Sequence, residues 1–149
     1  MANNVGKSIK NQTLNSFPIR LVWVSLLAVL AATAANLGLY FAAGILLPEV
    51  TAWPGAGPAQ IAGANLVYLF IGAVVLSVVR RVSVHPARHY LVIAVIGLFL
   101  SLALPILAGF GYGPPGTPTA GVVTVIILCL MHVVTFAISV PMFIRQVSD

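Results

Sequence analysis

Acidic side chains are almost absent from this sequence. Its 149 residues include only two acids, Glu49 and Asp149, and 6% of all positions are charged. A water-soluble domain has about 25% charged residues. With so few charges, the chain cannot cover a surface that faces water. Because 60% of the residues are hydrophobic and the mean hydropathy is +1.10, we expect lipid to surround most of the chain.

Cysteine is also scarce, since Cys129 is the only one and lies inside an apolar run. A single cysteine excludes an internal disulfide, a cysteine-pair metal site and a CxxC redox motif. His85 and His89 are four residues apart, but Pro86 between them disturbs any shared helical face. The sequence therefore predicts no metal site, and we interpret these two histidines as residues at the level of the lipid headgroups.

The formal net charge of +5 does not indicate nucleic-acid binding. The seven Lys and Arg residues flank apolar runs, whereas a nucleic-acid surface needs a basic face with aromatics between the cations. Membrane proteins place their cations beside their spans in this way. We therefore expect anionic lipid headgroups as the partners of these cations, with about 1 kcal/mol for each one near the surface.

Four apolar segments are long enough to cross a bilayer, which needs roughly 20 apolar residues. Residues 1–17 are polar and are expected to form a flexible cytoplasmic tail, with a short surface helix as the alternative; residues 146–149 form a second tail. The Gly/Pro-rich stretches 48–59 and 111–119 are predicted to be non-helical. The membrane domain covers 18–145, with spans at about 18–47, 60–79, 89–110 and 120–144.

The positions of the cations predict the topology. They fall before the first span, between the second and third spans, and after the fourth span. Four spans place these three regions on one side, so the positive-inside rule predicts that both termini are cytoplasmic. The predicted fold is all-α, an antiparallel up-down-up-down four-helix bundle in the cell inner membrane. The topology residues are Lys7, Lys10, Arg20, Arg80, Arg81, Arg88 and Arg145.

A stripe of small and polar residues follows the first span at helical spacing. Ala28, Ala32, Asn36 and Tyr40 recur every four residues and therefore lie on one face. Small side chains at this spacing let a neighbouring helix approach closely. We expect this face to pack against another helix, with Asn36 in an interhelical hydrogen bond. Contact with a ligand is the alternative for Asn36.

His132, near the middle of the fourth span, is the sharpest candidate for a binding site. An imidazole at that depth needs a partner within the protein. We expect a neutral histidine hydrogen-bonded to Asn36, Ser101 or a backbone carbonyl. The alternatives are an axial ligand of haem or a chlorophyll-type pigment, or a member of a proton relay. No second histidine lies at membrane depth for a bis-histidine haem, and no intramembrane acid is present for a relay. The preferred expectation is therefore that the protein binds no cofactor.

Two prolines are predicted to bend their helices. Pro105 lies inside the third span, and Pro141 lies about one turn before the end of the fourth. Proline removes a backbone hydrogen bond and kinks a helix. Membrane helices tolerate this when neighbouring groups satisfy the freed carbonyl.

The sequence predicts no enzymatic activity. Hydrolysis needs a nucleophile, a base and an acid within hydrogen-bond reach of one another. Ser101 and His132 lie within spans, whereas Asp149 lies at the cytoplasmic end, so the three cannot meet. A non-enzymatic role is therefore expected.

Several short motifs resemble a family of small, uncharacterised four-span bacterial membrane proteins, grouped as a domain of unknown function and common in actinobacteria and Chloroflexi-type bacteria. The resemblance covers most of the chain from Arg20 to Arg145. It implies the four-span fold and no particular activity. The motifs are Ala34-Ala35-Asn36, the Ser-Leu-Ala-x-Pro type stretch from Ser101 to Pro105, Met131-His132, and Pro141.

The sequence leaves three functional hypotheses. The first is an accessory or assembly subunit of a larger membrane complex, or a homo-oligomer, with protein partners or self-association expected beside membrane lipids. The second is a protein that binds a lipophilic cofactor or pigment through His132. The third is a small pore or transporter, which the lack of an acid within the spans disfavours.

Overall fold

The fold, seen in a computed structural model, consists of helices, with no strand among the described residues. The description covers residues 2–113 and 115–147, with backbone only for residues 2–16. These described residues form four long helices and one short one. They are α1 (Ala2–Leu46), α2 (Pro48–Ala52), α3 (Pro58–Val82), α4 (Pro86–Gly109) and α5 (Val122–Ile144).

Four of these helices are long and apolar enough to cross a membrane. The spans are Phe17–Leu46, Pro58–Val82, Pro86–Gly109 and Val122–Ile144. They contain 23 to 30 residues, which corresponds to about 35 to 45 Å of helix. A hydrocarbon core of about 30 Å is therefore crossed with some length to spare. The chain is a multi-pass membrane protein, as predicted.

The connection after the first span differs from the sequence prediction. The stretch 48–59 was expected to contain no helix, yet Pro48–Ala52 form the short helix α2. Pro48 occupies its first position, where a proline fits because the first N–H of a helix has no intrahelical partner. Val50 of α2 is buried against α1 and α5. Tertiary packing thus stabilises a turn of helix that local composition disfavoured.

The N-terminal segment also differs from the preferred expectation. Its backbone is helical from Ala2 and continues into the first span without a break. Pro18, expected in a first helical turn, therefore lies inside α1. The 15 residues before Phe17 add about 22 Å of helix beyond the apolar span.

The four spans form a ring in chain order. Helix α1 packs against α3 and α5, and α4 packs against α5 and more loosely against α3. Among the described residues α1 and α4 do not touch, so they lie diagonally opposite each other. The predicted antiparallel four-helix bundle is confirmed.

Contacts between the connections identify the two ends of the bundle. The Trp53 indole N–H donates to the Pro118 carbonyl at 2.8 Å, which joins the first and third connections. At the other end, the Arg80 guanidinium lies 3.6 Å from the centre of the Phe17 ring, which joins the end of α3 to the start of the first span. We call these the Trp53 end and the basic end. The basic end has five described arginines, Arg20, Arg80, Arg81, Arg88 and Arg145.

Two apolar clusters fill the interior, one toward each end. The cluster of the basic end includes Leu21, Ala28, Ala32, Leu69, Leu76, Val79, Tyr90, Val140 and Phe143. That of the Trp53 end includes Tyr40, Ala43, Val50, Ile61 and Met131. Between these two clusters, three of the helices each carry a polar residue: Asn36 in α1, Asn65 in α3 and Thr135 in α5.

Pro105 and Pro141 lie inside α4 and α5, as the sequence placed them. Because proline has no N–H, the carbonyls of Ser101 and Ala137 lose their usual helical donors. Pro105 is buried, whereas Pro141 is exposed. Bending at the two positions stays a prediction.

Candidate functional site

A polar layer crosses the middle of the bundle between the two apolar clusters. The Asn36 side-chain amide donates to Asn65 Oδ1 at 3.3 Å and to Thr135 Oγ1 at 2.8 Å. The Thr135 hydroxyl lies 2.9 Å from Asn65 Oδ1 and 3.0 Å from the Met131 carbonyl, and it can donate its proton to either oxygen. These bonds tie α1, α3 and α5 together at a depth where lipid offers no partner.

Asn65 is the centre of this layer. Its Oδ1 lies within hydrogen-bond distance of donors on α1 and α5, and its own amide donates to Thr33 Oγ1 at 3.2 Å. Each polar atom of the Asn65 side chain is therefore used. Asn36 differs, because its Oδ1 is buried and has no hydrogen-bond partner among the described residues. An unpaired buried carbonyl is costly unless something donates to it.

Beside the polar layer, a cleft opens between α3 and α4. Its volume is about 320 Å³, within the range of small-molecule sites in proteins, and its lining is mostly apolar. Helix α5 forms its floor, where Asn36 of α1 also contributes. Ile71, Ile93 and Gly97 line the cleft and are exposed, so it opens onto the side of the bundle that faces lipid.

The cleft is elongated along the membrane normal. On α3 its lining extends from Gln60 to Val75, which corresponds to about 22 Å of helix. Near the basic end it meets Tyr90 and Phe143, whose rings form an edge-to-face pair with centroids 6.1 Å apart. A molecule filling the cleft would extend across most of the hydrocarbon.

His132 lies on the floor of the cleft, near the polar layer. Its Nδ1 is 2.8 Å from the Leu128 carbonyl oxygen, four residues earlier in α5. A carbonyl can only accept, so Nδ1 must carry the proton, and in the neutral ring Nε2 then has a free lone pair. The ring also packs edge-to-face against Tyr68, with centroids 5.9 Å apart. Nε2 has no hydrogen-bond donor among the described residues.

The three residues predicted as a binding site, Asn36, Ser101 and His132, all line this one cleft. His132 bonds to a backbone carbonyl, one of the three partners expected for it. The Ser101 hydroxyl donates to the Leu98 carbonyl at 2.8 Å within α4. Asn36 makes the expected interhelical hydrogen bonds, but its partners are Asn65 and Thr135.

Sequence reasoning did not assign Asn65, Tyr68 or Thr135 to this site. Thr135 follows His132 by three residues, so helical spacing alone places the two side chains on one face. That spacing was the available signal. Tyr68 follows Asn65 by three residues in the same way.

The predicted packing stripe of α1 lies inside the bundle. Ala28 and Ala32 are 0% exposed, and Asn36 and Tyr40 are also buried. The two alanines belong to the apolar cluster of the basic end. Ala28 and Ala32 each present only a methyl group, so α1 can approach α3 and α5 closely. Asn36 can therefore reach both neighbouring helices.

Other predicted polar residues lie at the ends of the bundle. Ser83 Oγ is 2.5 Å from His89 Nδ1 in the connection between α3 and α4, and it accepts from the His85 backbone N–H at 3.0 Å.

Cys129 lies within α5 and is half-buried. Lys7, Lys10 and Asp149, named in the sequence predictions, lie outside the residues whose side chains are described.

The ring of four apolar helices, with short connections and a polar layer at mid-depth, defines a small multi-pass membrane protein of the helical-bundle class. The chain belongs to the family of unknown function DUF6069, whose model matches residues 18–149. The family resemblance inferred from the short motifs is thereby confirmed. No curated protein and no solved structure matches the chain.

Proposed function

We propose that this protein is a non-enzymatic membrane protein that binds a lipophilic molecule in the cleft between α3 and α4. One observation carries the proposal. An apolar cleft of about 320 Å³ opens toward lipid, and along its inner wall lie His132 and Asn36, each with an acceptor atom that no described residue pairs. Apolar pockets with a few convergent polar groups are typical of small-molecule sites.

The chemistry of the wall supports binding rather than catalysis. None of the described residues that line the cleft is acidic, and Ser101 donates to its own helix. Among the described residues, none of the hydroxyl groups that line the cleft is hydrogen-bonded to His132. A neutral imidazole beside amide and hydroxyl groups is suited to holding a ligand by hydrogen bonds.

A metal-containing pigment or haem is the second candidate, and the state of His132 supports it. Histidine ligands of metals commonly donate their other ring N–H to a backbone carbonyl, as Nδ1 does to Leu128. Nε2 of His132 would then be the atom that binds the metal ion. A visible absorption spectrum of the purified protein separates this candidate from a colourless lipophile. The accessory or assembly role, self-association and the pore stay predictions.

We expect Gly97→Phe to abolish co-purification of the lipophile. Gly97 lines the cleft, and a Cβ added there meets no atom within 4 Å, so a phenyl ring can enter the open space without displacing the helix. The measurement is mass spectrometry of an organic extract of the protein purified in a mild detergent, at equal protein amounts. The expected loss is at least tenfold.

Gly63→Phe is the matched control. Gly63 is exposed on α3, is not among the lining residues and likewise has open space at its Cβ. Both variants add the same apolar ring to a lipid-facing glycine. If both retained the same lipophile in wild-type amounts, or if wild-type protein carried none, the cleft would not be a lipophile site.

We further propose that the basic end faces the cytoplasm of a bacterial cell, with the protein in the inner membrane. The support is the five arginines gathered at that end, in contrast to Glu49 near the other. Cytoplasmic connections of inner-membrane proteins carry an excess of Lys and Arg. Anionic headgroups of the cytoplasmic leaflet would neutralise them.

Single cysteines test this orientation. In a Cys129→Ala background, we expect Ala52→Cys to react with a membrane-impermeant maleimide in intact spheroplasts. Val84→Cys should react only after lysis. Both positions are exposed, at the Trp53 end and the basic end respectively. The reverse labelling pattern would contradict the proposed orientation.

A further inference from the structure

We propose that the ligand of the cleft is a neutral aromatic lipophile with a ring hydroxyl group, of the alkylphenol or hydroquinone type. Its hydroxyl donates to His132 Nε2, its ring lies beside the polar layer, and its hydrocarbon tail leaves between α3 and α4. This inference rests on the proposed function and specifies the substrate class of the same site.

Two acceptor atoms beside the polar layer have no donor among the described residues. Nδ1 of His132 is engaged with the Leu128 carbonyl, which leaves Nε2 as an acceptor. Asn36 is 2% exposed, and its Oδ1 has no hydrogen-bond partner among the described residues. A ligand that has only carbonyl or ether oxygens leaves Nε2 without a donor, whereas a hydroxyl group can donate to it.

The depth of the site selects a neutral head group. Asn36 is ten residues from Leu46, the end of its span, which places it about 15 Å from that end. This is about half of the hydrocarbon thickness. Moving a charged or zwitterionic head group to that depth is costly. A single hydroxyl on an apolar ring can reach it.

Aromatic side chains along the cleft favour a ring. Tyr68, Tyr90, Phe136 and Phe143 all line it. Tyr68 is already packed edge-to-face against His132, which fixes the imidazole in the wall. Rings whose centroids lie about 4.5 to 7 Å apart attract one another beyond the effect of burial alone. An aromatic head group beside Nε2 meets such partners within the cleft.

The shape of the cleft accommodates a tail. The lining on α3 extends from Gln60 to Val75 and is mostly apolar. The exposed residues Ile71, Ile93 and Gly97 mark where the cleft meets the surrounding lipid. A ligand can therefore enter sideways from the bilayer, with its tail along α3 and α4.

A matched pair of probes tests the inference. 4-Decylphenol and 4-decylanisole share the ring and the tail and differ in the O–H donor, which the second replaces by a methyl ether. Wild-type protein in lipid nanodiscs is loaded with tritiated 4-decylphenol, and both unlabelled compounds compete for it in a scintillation proximity assay. We expect the phenol to compete about fivefold more tightly than the anisole, the ratio typical of one neutral hydrogen bond.

Two variants identify the acceptor. His132→Phe keeps a ring against Tyr68 and removes Nε2, so the preference for the phenol should fall below twofold. Its fold should survive, because the hydrogen bond that His132 makes within the described residues goes to a carbonyl of the same helix. Val133→Ala, at the exposed neighbouring position of α5, should keep the fivefold preference.

The outcomes separate the two proposals. Equal competition by phenol and anisole overturns the hydroxyl class and leaves lipophile binding in place. No specific binding of the tritiated probe, together with no lipophile in the extracts, overturns both. A fivefold preference retained in His132→Phe overturns the assignment to Nε2. The wild-type comparison decides the hydroxyl preference even where the variant fails to fold.

Discussion

Ala32→Leu is expected to lower the free energy of unfolding by about 3 kcal/mol, the upper end of the usual cost of overpacking a core. Ala32 is 0% exposed and lies in the apolar cluster of the basic end, together with Leu69 and Val140. The larger side chain must push α1 away from its neighbours. That movement also lengthens the hydrogen bonds of Asn36, one turn further along α1. Reversible unfolding in mixed detergent micelles measures the change.

Ala34→Leu is the control for this substitution. Ala34 is exposed on the same helix, so the added side chain meets lipid or detergent. We expect a change within about 0.5 kcal/mol, as for other surface substitutions. Equal effects of the two leucines would show that the Ala28–Ala32 face is not a packing surface.

Asn65→Leu is expected to destabilise the protein by about 2 kcal/mol. The substitution is close in volume, so it creates little cavity. It removes three hydrogen bonds, to Asn36, Thr135 and Thr33, and an interhelical bond in a membrane protein contributes about 0.6 kcal/mol on average. The Asn36 amide keeps Thr135 as a partner, which limits the loss. The same unfolding assay applies.

Ser77→Ala provides the comparison within α3. The Ser77 hydroxyl donates only to the Ala73 carbonyl of its own helix, at 2.9 Å. Its loss breaks no contact between helices and should change stability by less than about 0.5 kcal/mol. A neutral effect of Asn65→Leu would mean that the polar layer does not hold α3 in the bundle.

The spans were predictable because hydrocarbon imposes a strong and local condition. A crossing helix needs about 20 apolar residues, and charges must lie outside it. The predicted first span ends at residue 47 and the helix at Leu46. The structure of the connection 48–59 was harder to predict, because its composition disfavours a helix. The burial of Val50 nevertheless stabilises α2 there. Long-range packing of that kind leaves no local signal.

The site was predictable residue by residue but not as an arrangement. Position within the membrane spans was enough to select Asn36, Ser101 and His132 as candidate binding residues, because each is a polar side chain in an apolar run. Which of them would meet depends on how the helices rotate and which neighbours they have. Asn36 reaches Asn65 and Thr135, 29 and 99 residues away along the chain, instead of His132 or Ser101.

By itself, the sequence determined that this chain lies in lipid, crosses it four times and gathers its cations at one end, because each of these properties follows from how single residues partition between hydrocarbon and water. The tertiary structure alone decided that α3 and α4 separate to leave a cleft, that Asn65 joins three helices, and that Nε2 of His132 has no donor within the described part of the chain. Those features are relations between helices, and helix packing is set by close contacts among side chains far apart in the sequence.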